Sequence, residues 1–401
     1  MYRWPWRWRF PTPALILFAF VQTLCACGAP SLASGPWIAT QDTSGDTILI
    51  ETISGSIWGK IVSLREDLRL GRLEGPDEEL FGEVTEVAVG PEGDIFVFDT
   101  QLPALRQFDA NGDFVRTIGR EGEGPGEYSK RPDGLLVDRT GRIVLRDPDL
   151  TRLTAYTSEG QFLGVLGGAR GLHSLRSRMV ATDTAGTIYI KILMIDPGPG
   201  MPTPWPIGLE VRDAEGLVID TIPPPLMADG EQASRFEIHP FGALVVGSSD
   251  VYGFEIRSPD GTLVKVRMPF QPVRYTEAEL ARLRAAMRPI VAADGGQEPD
   301  LPAVKPAFLE FFFGPQGRIW VRRPISPSSG TQANPDPRYE PSVFDAFDPD
   351  GSYLGEIDFP ENGWPVAFSD THVYVIEKGE YDEQYVVRYR LQIPDTVRKR
   401  N

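Results

Sequence analysis

Short apolar runs separated by turn residues fill the stretch from Val84 to Tyr128. An apolar segment at 84–89 is followed by the turn Pro91-Glu92-Gly93, a second strand at 94–98, and a third ending at Phe108. The turn Asn111-Gly112 and a fourth strand through Ile118 complete the unit. Strands joined by tight turns predict one four-stranded antiparallel sheet. Such a sheet cannot bury both faces alone, so it requires neighbours of the same kind.

The neighbours are written in the same pattern. Aligned on the glycine of the first hairpin turn, the units read GPEG-DIFV at Gly93, DRTG-RIVL at Gly141, DTAG-TIYI at Gly186, HPFG-ALVV at Gly242 and GPQG-RIWV at Gly317. A sixth, SDTH-VYVI, has His372 at that position. A second glycine series, Gly112, Gly160, Gly216, Gly261 and Gly351, marks the other hairpin at separations of 19, 19, 30, 19 and 34 residues. Two turn series in phase predict six sheets, at about 84–118, 132–166, 179–222, 236–268, 307–358 and 365–393. The sixth lacks a clear last strand. Residues 68–73, LRLGRL, match the fourth strand of the first unit and are expected to complete it, closing a ring that leaves no bare sheet ends. Residues 47–52, TILIET, also have a strand pattern, without an evident place.

The period breaks at about 275–290. Thr276 followed by Glu279 is a capping box, and Leu280, Leu283 and Met287 share a face, which predicts a helix of some three turns ended by Pro289. The fold class expected is therefore all-β with one helical insertion between the fourth and fifth sheets.

Composition sharpens this picture. Gly (41) and Pro (37) suit many turns, and the 41% hydrophobic residues can fill a core. The net charge of −16 disfavours nucleic acid as a partner. At the N-terminus, basic residues 3–9, an apolar run at 14–21 and Leu24-Cys25-Ala26-Cys27 have the order of an export signal. The tetrad resembles the bacterial lipobox, which implies cleavage after residue 26, acylation of Cys27 and attachment to the cell envelope on its extracytoplasmic side. An ordinary secretion signal with incidental cysteines is the alternative. Both cysteines lie here, so no disulfide is expected in the fold. Residues 27–46 are expected to be a flexible tether ahead of a body spanning 47–393, and 394–401 a basic tail.

The repeats resemble those of NHL-type six-bladed β-propellers, and the Gly-Glu-Gly-Pro-Gly-Glu-Tyr loop together with the lipobox resembles bacterial six-bladed propeller lipoproteins. Arg152-Leu-Thr-Ala-Tyr156 matches the third strand of an NHL repeat, whereas the first unit has Ala104 in place of the arginine. The resemblance covers residues 68–393 and implies a fold more than a chemistry.

Candidate chemistry is sparse. Gly119–Glu127 lacks the Gly-Lys-Ser/Thr ending of a phosphate loop and reads as a turn between sheets. Asp109, Asn111 and Asp113 begin like a calcium loop but lack its final glutamate, so they read as a hairpin turn. His173, His239 and His372 occupy different repeat positions and are not expected to converge on a metal. Neither a metal nor a cofactor is expected.

The second strands end at one rim with Asp99, Arg146, Asp147, Lys191, Arg322 and Arg323, charges of both signs facing one funnel. As capping groups, Asp99 and Asp147 would merely hold turns. The long insertions, at 196–207, 269–306 and 323–342, fall on the same face, where Trp205, Tyr339 and Trp364 would offer aromatic contact and the basic residues would hold an anionic group. The pattern points to recognition of a small polar ligand, a glycan, a peptide or a protein. Two alternatives remain: a propeller-type lyase or lactonase with carboxylate-bound metal, and a structural part of an envelope complex.

Overall fold

The computed structural model describes residues 35–168, 179–194, 206–294, 301–326, 338 and 342–393. The local chemistry of the turns sets the hairpins. In blade 1, the carboxylate of Asp109 accepts the N–H groups of Asn111 (2.8 Å) and Asp113 (2.9 Å), and Gly112 takes φ 92°, a left-handed conformation that a side chain would strain. Asp138 and Asp183 do the same in the first turns of blades 2 and 3. With its carboxylate occupied by its own loop, the Asp109 turn is a hairpin, as its sequence suggests.

Each hairpin pair builds a four-stranded antiparallel blade. Blade 1 comprises Val84–Val89, Ile95–Asp99, Ala104–Phe108 and Phe114–Ile118. Blade 2 comprises Gly134–Val137, Ile143–Asp147, Arg152–Tyr156 and Phe162–Val165, and blade 3 Val180–Thr182, Ile188–Leu193, Ile207–Arg212 and Val218–Ile222. Blade 4 is Arg235–Ile238, Leu244–Ser248, Gly253–Arg257 and Leu263–Arg267; blade 5 is Glu310–Phe313, Ile319–Pro324, Ser342–Phe347 and Tyr353–Asp358. Gly363–Phe368, His372–Lys378 and Gln384–Leu391 form three strands of blade 6. The fold is a six-bladed β-propeller. The first strand of blade 1 touches the first strands of both blade 2 and blade 6.

Three N-terminal segments complete the sheets, and they differ from expectation. The fourth strand of blade 6 is Val62–Leu70, paired antiparallel with the third from Leu64↔Leu391 to Leu70↔Val386, rather than a strand over 68–73. Gly71 ends it: φ 102° turns the chain out, and a β-carbon there would lie 2.9 Å from the Gln384 carbonyl oxygen. Thr47–Ser54 runs parallel to the fourth strand of blade 4, from Thr47↔Leu263 to Glu51↔Arg267. Ile38–Ser44 pairs with it in turn, so this part of the expected tether is a strand of a hairpin. The helix spans Glu277–Asp294 and passes through Pro289, since a proline removes one backbone hydrogen bond without obliging a helix to stop. Its capping box forms: Glu279 accepts the Thr276 N–H (2.7 Å) while the Thr276 hydroxyl accepts the Glu279 N–H (3.2 Å). Cys27, the export signal, His173, Trp205, Tyr339 and the basic tail lie outside the described residues.

The core lies between blades. Phe96, Phe98 and Ile118 of blade 1 pack on Leu135, Ile143 and Tyr156 of blade 2 in one cluster; Phe254 of blade 4 meets Phe311 and Phe347 of blade 5 in another. Each sheet covers its neighbour's apolar face, which is how a repeat that cannot fold alone becomes stable. Connections between blades are pinned by arginines. Arg152 donates to the carbonyls of Glu123 (3.1 Å), Gly124 (3.0 Å) and Glu127 (2.7 Å), making the glycine-rich loop a structural link.

Candidate functional site

First strands begin, and second strands end, at the edge of the blades that also carries the connections between blades. Gly134 is registered with Arg146 and Glu310 with Arg322, so residues from the two strands meet there in pairs.

At this inner rim, Arg146 is fully buried and ion-paired with Asp133. Lys191 of blade 3 reaches Glu237 of blade 4 at 2.6 Å and lies over the Phe236 ring at 5.4 Å. Arg235 donates to the carbonyls of Ser234 and, across to blade 5, Leu309. Arg322 stands 3.7 Å from Glu310, donates to Ser342 Oγ (2.9 Å) and the Arg338 carbonyl (3.0 Å), and lies 5.0 Å above the ring of Trp364 in blade 6. The result is a belt of charged groups running from blade 2 to blade 5 and resting on the Trp364 ring of blade 6, with cations and carboxylates already matched.

The expected rim residues therefore divide. Arg146, Lys191 and Arg322 come together in the belt. Asp99 does not: fully buried, it accepts N–H groups from Gly82 (2.8 Å), Glu83 (3.0 Å), Gln101 (2.9 Å) and Leu102 (3.2 Å), with Arg106 at 3.5 Å. Asp147 likewise holds Ser129, through its N–H and hydroxyl, and the Leu150 N–H. Both carboxylates act as clamps on the loops. Arg323 points to the opposite face of its strand, bound to Asp345 (2.9 Å) and Glu356 (3.1 Å). Trp364 is buried in the core under Arg322 instead of offering an open aromatic surface.

The carboxylates Asp133, Glu237 and Glu310 and the cation Arg235 were not singled out from the sequence. Each stands in or next to an otherwise apolar first strand, and Asp133, Arg235 and Glu310 fall seven or eight residues before the alignment glycines Gly141, Gly242 and Gly317. That recurrence was available as a signal.

Among the described residues no group of three or more His, Cys, Asp or Glu side chains is placed to hold a metal ion. The two described histidines have separate partners. His239 sits between blades 4 and 5, its Nε2 on the Gly317 carbonyl and its Nδ1 accepting the Phe241 N–H (3.1 Å); burial depresses its pKa and keeps it neutral. His372, at the hairpin end, contacts Asp67 (2.9 Å) and Thr371 Oγ1 (2.7 Å), beside a cavity of about 450 Å³ lined also by Glu92, Arg139, Tyr374 and Arg388. That contact fastens the N-terminal strand to blade 6. The belt can thus bind and orient polar groups, and among its described residues there is no unit of nucleophile, base and orienting acid.

Residues 59–167 match a family model, DUF5128, described as a 6-bladed beta-propeller. The match spans just over a quarter of the chain. No curated protein matches the sequence. Among solved structures, a member of the DUF4221 family from Bacteroides vulgatus aligns with a TM-score of 0.51 at 12% identity, over 83% of this chain and 99% of that one. A Bacteroides fragilis protein described as exported aligns at 0.49 and 13% identity, over 83% and 96%. Virginiamycin B lyase from Staphylococcus aureus aligns at 0.38 and 8%, over 80% and 83%. At these identities the likeness is one of fold alone.

Proposed function

We propose that the protein is a lipid-anchored binding module of the cell envelope that recognises a peptide or protein segment bearing charges of both signs, through the loop-bearing edge of its blades. One observation carries the reading: the inner rim holds matched cations and carboxylates from four consecutive blades, immobilised by backbone and aromatic contacts. Burying matched charges gives little net stability compared with apolar packing, so their concentration at one edge suits recognition better than folding. Lys191 and Glu237 keep some exposure and are the members that a ligand reaches first.

Isothermal titration and thermal shift against di- and tripeptides, neutral oligosaccharides and divalent metal ions test this. A charged peptide should bind, and the Lys191→Met, Glu237→Gln double variant should lose that affinity by tenfold or more while melting close to the parent. Undiminished affinity in the double variant places the site elsewhere. Stabilisation by a divalent ion alone, with turnover of a lactone, replaces the binding module with an enzyme. The anchor rests on Leu24-Cys25-Ala26-Cys27, and Cys27→Ser should move the protein from the membrane to the soluble fraction.

A further inference from the structure

The outer edges of the blades are treated unequally. Blade 4 receives Thr47–Ser54 in parallel register on its fourth strand, and blade 5 receives Val62 and Ser63 in parallel beside Ile357 and Asp358. Among the described residues no strand pairs with the outer side of the fourth strand of blade 3, Val218–Ile222. At the start of that strand Leu217, Val218 and Ile219 are 67%, 52% and 60% exposed, so both of its faces are bare there.

The open surface continues onto blade 2. Arg212 of blade 3 donates to the carbonyls of Leu166 (3.2 Å) and Gly168 (2.8 Å), which seats the last turn of blade 3 against the end of the fourth strand of blade 2. That neighbouring strand exposes Phe162, Leu163 and Val165. Two adjacent edges thus present six large apolar side chains in one strip. A bare apolar edge is a template for a further strand, and folded proteins usually block such edges with charge, proline or cover.

We propose that the fourth strand of blade 3 accepts an extended segment of a partner protein, laid parallel to it as the protein's own residues 47–51 are laid on blade 4. The segment would alternate apolar with basic residues. Its apolar side chains would cover Val218 on one face, and its cations would answer Asp220 on the other, with Asp213 and Glu215 in the turn just ahead of the strand. A second copy of this chain fits poorly, because it brings the same carboxylates and a net charge of −16 to the contact.

The test uses the full chain and a fluorescein-labelled eight-residue peptide alternating valine and lysine, followed by anisotropy. Two controls carry the same charge: an alternating serine and lysine peptide, and the valine–lysine peptide N-methylated on alternate amides. Saturable binding of the first, at least tenfold tighter than either control and weakened tenfold by Ile219→Lys or Val218→Thr, is the expected result. Both positions are more than half exposed, so neither variant should change melting. Equal binding of the serine–lysine or N-methylated peptide, or indifference to both variants, overturns the proposal. So does a dimer in sedimentation that Ile219→Lys dissociates, since the edge would then belong to a second copy.

Discussion

Replacing Asp99 by asparagine separates a structural carboxylate from a ligand-binding one. Four backbone N–H groups and the Arg106 guanidinium converge on its two oxygens, in a position without solvent access. Hydrogen bonds to a charged group contribute about 1.5–3 kcal/mol each, though not additively within one cluster. Asparagine keeps one acceptor and turns an NH2 group toward donors, and it leaves Arg106 buried without its partner. Loss of one member of a buried pair costs about 3–5 kcal/mol, so Asp99→Asn should destabilise by on the order of 3–5 kcal/mol. Urea unfolding at neutral pH, followed by tryptophan fluorescence, measures it, with Thr100→Ala beside it as a control of small effect. A loss below about 1 kcal/mol would show that the clamp does not carry the loop, and the carboxylate would return as a candidate for ligand contact.

Arg152→Ala should cost about 2–4 kcal/mol in the same assay, because it strands the carbonyls of Glu123, Gly124 and Glu127, and Arg152→Lys should recover only part of the loss. His239 is held below its ordinary 6.5 by burial, so the unfolded chain binds a proton that the folded chain resists. Its contribution is present above pH 6.5 and is lost as pH falls through that value, and the melting temperature of His239→Gln should decline less steeply than the parent's between pH 7 and 5. A chain beginning at Glu79 lacks Val62–Leu70 and should aggregate from the bared edge of blade 6, which size-exclusion chromatography reads directly. A monomer that melts cooperatively would refute that account.

What could be seen in the sequence follows the range of the interaction responsible. Hairpins were legible because Asp109, Asp138 and Asp183 bind their own loops two and four residues on, and the glycine that follows adopts a conformation few other residues tolerate. The helix start was legible for the same reason, its cap being complete within four residues. The helix end was not, since Pro289 weakens a helix without deciding its length. The N-terminal hairpin was not either: Thr47 lies against Leu263 in a parallel pairing with no connecting turn to announce it. In the closing strand the match of 68–73 to the fourth strand of the first unit places the segment too late: pairing runs from Leu64 to Leu70, with Asp67 bulged opposite Arg388 and Tyr389, and Gly71 ends it.

At the rim, position was legible and state was not. Arg322 and Arg323 are adjacent, yet strand alternation sends one toward Glu310 and Trp364 and the other to Asp345 and Glu356 on the reverse face. Proximity to the funnel therefore does not make a residue available to it. The arginines expected to hold an anion are already paired, and pulling either away would leave a carboxylate buried alone. On the proposed reading a ligand adds to the belt through Lys191 and Glu237 and does not exchange its partners. A belt of that kind loses little conformational freedom when a ligand arrives, so selectivity would come from the fixed spacing of its charges, and affinity from whatever the loops above it contribute.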